Sequence, residues 1–234
     1  MNDEIAFQRD YYRKTANRYD DMHVNSVGEH DFALAFMLSM IDFFSIDSML
    51  DIGSGTGRAL LRAKTVYHNL KVLGIEPSLE LRELGHAKGL SQNELIDGDA
   101  QKLEFSDGAF DLVCEFGALH HIPDPSKAVS EMLRVARKAV FISDANNFGQ
   151  GGFVSRTVKQ TLRSLRLWKV ADFVKTRGKG YTVSEGDGLA YSYSVFSDYP
   201  EISRHCKSVH LLNTLPAGMN LYRSAPHIAL LGVK

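Results

Sequence analysis

A glycine-rich turn that directly follows a short apolar strand is the feature that most constrains this chain. Residues 51–57 read Asp-Ile-Gly-Ser-Gly-Thr-Gly, after a predicted strand at 48–52 and before helical spacing at 57–68. Glycine is required where the backbone turns tightly or approaches a ligand closely. In open α/β sheets, ligands bind at the carboxyl ends of the strands. The turn therefore predicts both a fold class and the position of a ligand.

The same alternation of strand and helix continues to Ser143. Predicted strands lie at 48–52, 71–75, 94–96, 110–114 and 139–143, with helical patterns at 57–68, 78–88 and 125–137 between them. Alternation of this kind is typical of parallel strands joined by right-handed crossovers. Two more predicted strands, 207–213 and 227–233, are joined by a link that is too short for a helical crossover, so we expect them to be antiparallel. The predicted fold is α/β, a doubly wound, seven-stranded, mostly parallel sheet.

The 234 residues fit one domain with four parts. We expect an N-terminal helical cover at 1–45, a ligand-binding core at 46–145, an inserted cap or substrate segment at 146–200, and a terminal strand pair at 201–234. Within the cap, residues 154–180 predict a basic amphipathic helix that carries eight lysines and arginines against Asp172.

Composition excludes several classes of protein. The net charge is −1, from 27 basic and 28 acidic residues, which disfavours a nucleic-acid partner. The two cysteines, Cys114 and Cys206, form no C-x-x-C and are compatible with a reducing compartment. The first residues lack a signal peptide, and the most apolar stretch is too short to span a membrane. We expect a cytoplasmic protein without a transmembrane segment; the sequence indicates nothing about its oligomeric state.

Three classes of ligand could use the glycine turn. A phosphate-binding loop needs Lys-Ser or Lys-Thr, which does not follow here. A dinucleotide fingerprint needs a third glycine where this chain has Arg58, whose side chain would obstruct close packing of helix on strand. Asp51 suits a cationic amino acid better than a diphosphate.

Carboxylates also follow the next two predicted strands. Glu76 ends the second strand, where an acidic residue can accept both hydroxyls of a ribose. Asp99 follows the third strand and could accept a hydrogen bond from an adenine amino group. These residues predict a nucleoside site at one edge of the sheet.

Taken in order, these motifs resemble the class I S-adenosylmethionine-dependent methyltransferases. The matching segments are Leu-Asp-Ile-Gly-Ser-Gly-Thr-Gly at 50–57, Gly-Ile-Glu-Pro-Ser at 74–78, Gly-Asp-Ala at 98–100, Phe-Asp-Leu-Val at 110–113 and Ala-Leu-His-His-Ile-Pro-Asp-Pro at 118–125. More narrowly, they are similar to the small-molecule branch that includes the ubiquinone- and menaquinone-type enzymes, called type 11. The resemblance covers about residues 8–145 and implies S-adenosylmethionine as cofactor, with S-adenosylhomocysteine (SAH) as product.

The resemblance implies a role for each matching residue. At the methionine end of the cofactor it places Asp51, Gly53, Ser54, Gly55, Glu115 and Phe116. At the adenosine end it places Glu76 on the ribose and Pro77, Asp99 and Ala100 on the adenine. Tyr11 and Tyr19 match an N-terminal tyrosine helix that closes over the cofactor.

His120 and His121 are the candidate catalytic residues, because a histidine at a strand end can take a proton from a substrate hydroxyl. They could instead hold the loop in place. We expect no metal, since neighbouring residues on a loop rarely both bind one ion and no carboxylate or cysteine cluster accompanies them in the sequence.

The acceptor of the methyl group is less constrained. The Asp/Asn-Pro-Pro-aromatic signature of amino methylation is absent after the fourth strand, so we expect a small-molecule acceptor, with oxygen on a sugar, lipid or secondary metabolite favoured and carbon next. The basic segment could be a solvated face, could bind an anionic substrate, or could contact an anionic membrane peripherally. Two other hypotheses remain open: a module that binds S-adenosylmethionine without transferring methyl, and a nicotinamide dehydrogenase, which Arg58 disfavours.

Overall fold

One mixed sheet organises the molecule. The computed structural model describes residues 3–24, 28–215 and 220–234. The strands are β1 Ser48–Ile52, β2 Lys71–Ile75, β3 Leu95–Ile96, β4 Phe110–Phe116, β5 Ala136–Ala145, β6 Tyr181–Ser184, β7 Gly188–Tyr191, β8 Ser208–Asn213 and β9 His227–Val233. Seven of them form a sheet in the order β3-β2-β1-β4-β5-β9-β8, and β6 pairs with β7 in a separate hairpin.

Helices cover both faces of this sheet. They are α1 Asp3–Thr15, α2 Tyr19–His23, α3 Glu29–Ser39, α4 Arg58–Val66, α5 Leu79–Ala87, α6 Pro125–Val135, α7 Phe153–Ser164, α8 Trp168–Lys175 and α9 Tyr199–His205. The start of α6 illustrates the local code: the Asp124 carboxylate accepts the Lys127 N–H, and Pro125 occupies the first turn, where its missing N–H costs nothing. None of the helices within the described residues is both long and apolar enough to cross a bilayer.

The central strands are buried on both faces, which explains their continuous apolar runs. On one face Met49 and Phe141 pack with Leu60 of α4. On the other, Leu50 and Val113 pack with side chains of α6. Since each face is covered, the carboxyl end of the strands is the edge where side chains of several strands can meet a ligand.

The predicted architecture is confirmed. Strands β1 to β5 pair in parallel, and β9 is antiparallel to both β5 and β8. The observed β4 and β5 extend beyond the predicted bounds. Parts of the predicted helical cover (1–2 and 25–27) and of the link between β8 and β9 (216–219) lie outside the described residues.

The prediction of one basic helix at 154–180 is wrong. The segment forms α7 and α8, separated by a turn in which Arg166 takes a left-handed φ of 60°. Neither helix buries a side chain completely. Phe153 and Val154 on α7 and Val174 on α8 keep 77%, 74% and 70% of their surface exposed. The apolar face that the periodicity predicts therefore points to solvent instead of packing on the sheet.

Candidate active site

The glycine turn after β1 has a backbone conformation that only glycine adopts readily. Gly53 has a φ of 65°, and a Cβ atom built on it would lie 2.5 Å from the Cβ of Ala118. The turn is held by bonds to β2 and to β1: the Ser54 N–H donates to the Ile75 carbonyl, and the Ser54 hydroxyl donates to the Asp51 carbonyl. The sequence motif thus fixes a loop whose backbone lies close to the loop that follows β4.

Glu76, at the end of β2, ties the glycine turn to the next strand. One carboxylate oxygen accepts the Gly55 N–H at 3.0 Å, and the other accepts the Ser78 N–H at 2.8 Å. Glu76 is buried, and this burial raises the pKa of its carboxyl from 4.5 to about 7. A buried carboxylate at the mouth of a cavity is suited to hydroxyl donors, which return the hydrogen bonds that it lost from water.

A small cavity of about 180 Å³ opens beside Glu76. Of the residues that the sequence assigns to the adenosine, Pro77, Asp99 and Ala100 line it together with Glu76. Asp99 also accepts the Gln101 N–H at 2.8 Å, so its carboxylate is oriented by its own turn. The structure brings these predicted residues together.

A larger cavity of about 520 Å³ adjoins the small one. Asp51, Ser54 and Arg58 line it next to the glycine turn. Burial raises the pKa of Asp51 from 3.8 to about 7. The side chains and backbone that line both cavities mark where the two meet: Tyr12, Tyr19, Gly53, Phe116, Gly117 and His121.

His120 and His121 face the larger cavity from a 3-10 turn, Leu119–His121, that follows β4. The Nδ1 atom of His120 lies 2.7 Å from the buried carboxylate of Asp144, at the end of β5. Burial by itself would lower the pKa of His120, but the charges of Asp144 and then Asp187 outweigh it and raise the pKa well above its ordinary value. Nδ1 of His121 lies 2.6 Å from the Leu189 carbonyl of the cap.

Three predicted site residues do not line either cavity. Glu115 is completely buried in the sheet, where its oxygens accept the N–H groups of Ala118 and Ser143, so it supports the loop after β4. Tyr11 points to the cap hairpin and donates to the Glu185 carbonyl. Gly55 contributes its N–H to Glu76 instead of a cavity wall.

The structure also adds residues that the sequence analysis did not assign. Tyr12, not Tyr11, lies at the junction of the cavities, because it faces inward on α1. Arg58 lines the larger cavity from the first turn of α4. Asp144 could have been found from its position at the end of a predicted strand, whereas no pattern in the sequence points to Asp187.

Known methyltransferases are similar to part of this sequence and have the same fold. The methyltransferase domain family matches residues 50–142. A phosphatidylethanolamine N-methyltransferase of Cereibacter sphaeroides is 36% identical over 107 residues, which are 44% of this chain and 51% of that protein. A demethylmenaquinone methyltransferase of Lactiplantibacillus plantarum is 25% identical over 86% of this chain and 81% of that protein.

Among solved structures, the magnesium protoporphyrin IX methyltransferase of Synechocystis PCC 6803 with bound SAH has a TM-score of 0.62 at 15% identity. That match covers 99% of this chain and all (100%) of the other, and at this identity it shows a common fold. The chain spans between 34% and 51% of the length of the first curated relatives that it matches. Together with the motif order and the sheet topology, these likenesses indicate that residues 50–142 resemble the methyltransferase domain of class I S-adenosylmethionine-dependent enzymes, type 11.

Proposed function

We propose that this chain transfers the methyl group of S-adenosylmethionine to an oxygen atom of a small molecule held in the larger cavity. The observation that carries this proposal is the pair of adjoining cavities, which share Gly53, Phe116 and Gly117 at their junction. The residues that we assign to the nucleoside line the small cavity on one side of that junction, and polar, titratable side chains line the larger cavity on the other. The arrangement is suited to a donor and an acceptor that meet end to end.

In this proposal, Glu76 binds the ribose hydroxyls, and Pro77, Asp99 and Ala100 surround the adenine in the small cavity. Asp51 pairs with the amino group of the cofactor's methionine end. Arg58 lines the larger cavity together with Asp51 and is placed to attract the carboxylate of that methionine end. Tyr12 and Tyr19 close the junction from the N-terminal helices. S-adenosylmethionine would supply an activated methyl group with a neutral thioether as leaving group, so the chain has to align the reactants and exclude water.

An oxygen acceptor fits the larger cavity because its lining is rich in groups that bind hydroxyls. His30, His120, His121 and His227 all line it, with Asp187 and Asn147. The relatives include N-methyltransferases as well as demethylmenaquinone methyltransferases, so they do not single out an acceptor atom. We propose that His120 and His121 contact the acceptor hydroxyl and position its oxygen for transfer.

The alternative is a module that binds S-adenosylmethionine without transferring its methyl group. A cofactor-only module needs no second cavity, and here a cavity of about 520 Å³ adjoins the proposed cofactor site.

The amphipathic helices α7 and α8 could extend the proposal to the surroundings of the acceptor. Their exposed apolar side chains and five cations would suit peripheral contact with an anionic membrane. Lys175, which lines the larger cavity, would suit an anionic substrate.

Thermal unfolding in the presence of cofactors tests the proposal. A ligand at 100 times its Kd stabilises the folded protein by about 2.7 kcal/mol. We expect stabilisation by S-adenosylmethionine and by SAH, and none by NADH. Stabilisation by NADH alone would contradict the assignment of this site to S-adenosylmethionine. Transfer of a labelled methyl group to metabolites of an extract then separates the enzyme from the module, which would yield no labelled product.

A further inference from the structure

We propose that His120, His121 and Asp187 form a binding site for a divalent, zinc-like cation at the acceptor side of the larger cavity. The site itself is independent of the proposed function; its role in methyl transfer, described below, rests on that function. Each residue offers one ligand atom, and the three atoms lie within 4.8 Å of one another. Two imidazoles and one carboxylate are a ligand set typical of catalytic zinc sites, in which a further position stays open.

Both histidines are oriented as metal ligands usually are. A metal-binding imidazole generally donates its other N–H to a carboxylate or a backbone carbonyl. The Nδ1 atoms of His120 and His121 make these two contacts, with Asp144 at 2.7 Å and with the Leu189 carbonyl at 2.6 Å. Because both Nδ1 atoms are engaged as donors, both Nε2 atoms are directed to Asp187.

The distances to Asp187 favour a cation over a direct ion pair. His120 Nε2 lies 3.4 Å from one carboxylate oxygen, and His121 Nε2 lies 3.3 Å from the other. Charge-assisted hydrogen bonds between nitrogen and carboxylate are shorter, about 2.7–2.9 Å. Each imidazole therefore faces its own carboxylate oxygen at more than hydrogen-bond length, while one ligand atom from each of the three residues lies within 4.8 Å of the others, close enough to bind one ion together.

The cap hairpin carries Asp187 to this position. The Leu189 N–H donates to Gln8 Oε1 at 2.7 Å, and Tyr11 donates to the Glu185 carbonyl at 2.8 Å. Gly188 lies so close to α1 that a Cβ atom there would be 2.6 Å from Gln8 Oε1. The turn that bears Asp187 is thus held on both sides, and this explains why the sequence showed no third ligand: it comes from a distant segment.

A second cluster in the same cavity is a weaker candidate. Glu29, His30 and His227 also have ligand atoms close together. There the Nδ1 atoms contact hydroxyls, Ser143 Oγ at 3.3 Å and Thr214 Oγ1 at 2.7 Å, instead of a carboxylate or carbonyl. The chain therefore offers a built-in comparison between two histidine clusters.

A cation held by His120, His121 and Asp187 would face the acceptor. It would lower the pKa of a hydroxyl that binds at the open position, so that the proton leaves to solvent at neutral pH. The oxygen lone pair then forms the bond to the methyl carbon while the carbon–sulfur bond breaks and its electron pair stays on sulfur. This step requires the proposed methyl transfer, whereas binding of the cation does not.

Titration of the chelator-treated protein with Co²⁺ and Zn²⁺ tests the site, with visible absorption and calorimetry as readouts. We expect one tightly bound ion and the absorption of Co²⁺ in a site of low coordination number. Loss of a residue that only orients a ligand costs about 10- to 100-fold in metal affinity. Asp187→Asn, an isosteric change on the hairpin, should weaken ion binding by more than that. Asp144→Asn should weaken it by about 10- to 100-fold. His30→Gln and the exposed-surface variant His210→Gln are controls and should bind the ion as the unmodified protein does.

Wild-type affinity in Asp187→Asn, or loss of binding in His30→Gln with retention in Asp187→Asn, would overturn the site. SAH binding, measured in the same variants, keeps the two proposals apart. Methyl transfer by a protein that binds no ion would overturn the metal site and leave the function, whereas ion binding without SAH binding would do the reverse.

Discussion

The core at 46–145 and the cap at 146–200 contribute to the site in different ways. In the core, Glu76 is buried and joined to two backbone N–H groups, so the position of its carboxylate follows from the sheet. In the cap, helices α7 and α8 bury no side chain completely, and one hairpin turn reaches the site through Asp187. Backbone geometry therefore positions Glu76 in the core, whereas a few contacts with α1 position Asp187 in the cap.

This difference explains which part of the function a sequence can reveal. Backbone geometry demands particular residues at particular spacings, such as glycine where φ is positive, and it leaves a motif. Contacts between a cap and a remote helix can be made by many different residues, so they leave no motif in the sequence. The following experiments test whether the cofactor depends on the core and the acceptor chemistry on the cap.

The largest effect is expected from alanine at Gly53. The new Cβ would meet Ala118 at 2.5 Å in a backbone with a φ of 65°. Strain and overpacking of about 1–3 kcal/mol each should lower the free energy of unfolding and displace the glycine turn. We expect loss of measurable SAH binding by calorimetry.

The matched control is Gly186→Ala in the cap, where an added Cβ has open space around it. This variant should keep the stability and the SAH affinity of the unmodified protein. Equal damage from both substitutions would contradict the division between core and cap.

The second prediction concerns pH. Burial raises the pKa values of Asp51 and Glu76 to about 7 in the free protein, and ligand groups that donate to these carboxylates favour their ionised forms. SAH binding should therefore release protons, and its affinity should rise with pH, by up to about tenfold per unit for each carboxylate, and level off above pH 7 or so. The stability of the free protein has the opposite trend: it should fall as pH rises from the unfolded carboxyl values towards 7. Glu76→Gln should reduce the slope of affinity against pH, measured by calorimetry at several pH values; an unchanged slope would assign it to other groups.

A smaller effect separates two neighbouring tyrosines. Tyr12 lies at the junction of the cavities, whereas Tyr11 contacts the hairpin. Removing an aromatic contact of about 0.5–1.5 kcal/mol should weaken SAH binding severalfold in Tyr12→Ala. Tyr11→Ala should keep SAH affinity and weaken ion binding instead. The reverse pattern would restore Tyr11 as the cofactor residue.

Substitutions on the exposed apolar face of the cap should have the smallest effect on SAH binding by the core. If α7 contacts an anionic membrane, replacing Phe153 and Val154 by serine should reduce sedimentation with vesicles that contain phosphatidylserine, while SAH affinity stays constant. Phe43→Ser, at another exposed phenylalanine (78% exposed), is the control. Equal vesicle binding by all three proteins would remove the membrane from the proposal.

Much of the fold could be predicted from the sequence, because buried parallel strands are continuous apolar runs with a turn at each end. β1, β2 and β9 have the predicted bounds. The α7–α8 segment shows the limit: its helical period was clear, but periodicity cannot indicate that Arg166 ends one helix or that the apolar face stays uncovered.

The candidate site divides in the same way. Asp51, Glu76, Asp99 and Phe116 line the cavities because strand ends meet at one edge of the sheet, and their contacts with a cofactor stay a prediction. Glu115 also lies near a strand end, but its side chain is buried on the opposite face of the sheet from Phe116, since successive residues of a strand face opposite sides. Asp187 could not be predicted, because its position depends on how a remote hairpin packs against α1.

The most direct test of the central claim is a calorimetric titration of the protein and of Glu76→Ala with SAH, with Glu83→Ala on the exposed surface of α5 as control. Loss of hydrogen bonds to a charged group costs about 1.5–3 kcal/mol, which corresponds to roughly 10- to 100-fold in affinity. We predict saturable binding of one SAH, at least about tenfold weaker binding by Glu76→Ala, and unchanged binding by Glu83→Ala. Absence of binding by the unmodified protein, or equal affinity in Glu76→Ala, would contradict the assignment of this edge of the sheet as the cofactor site.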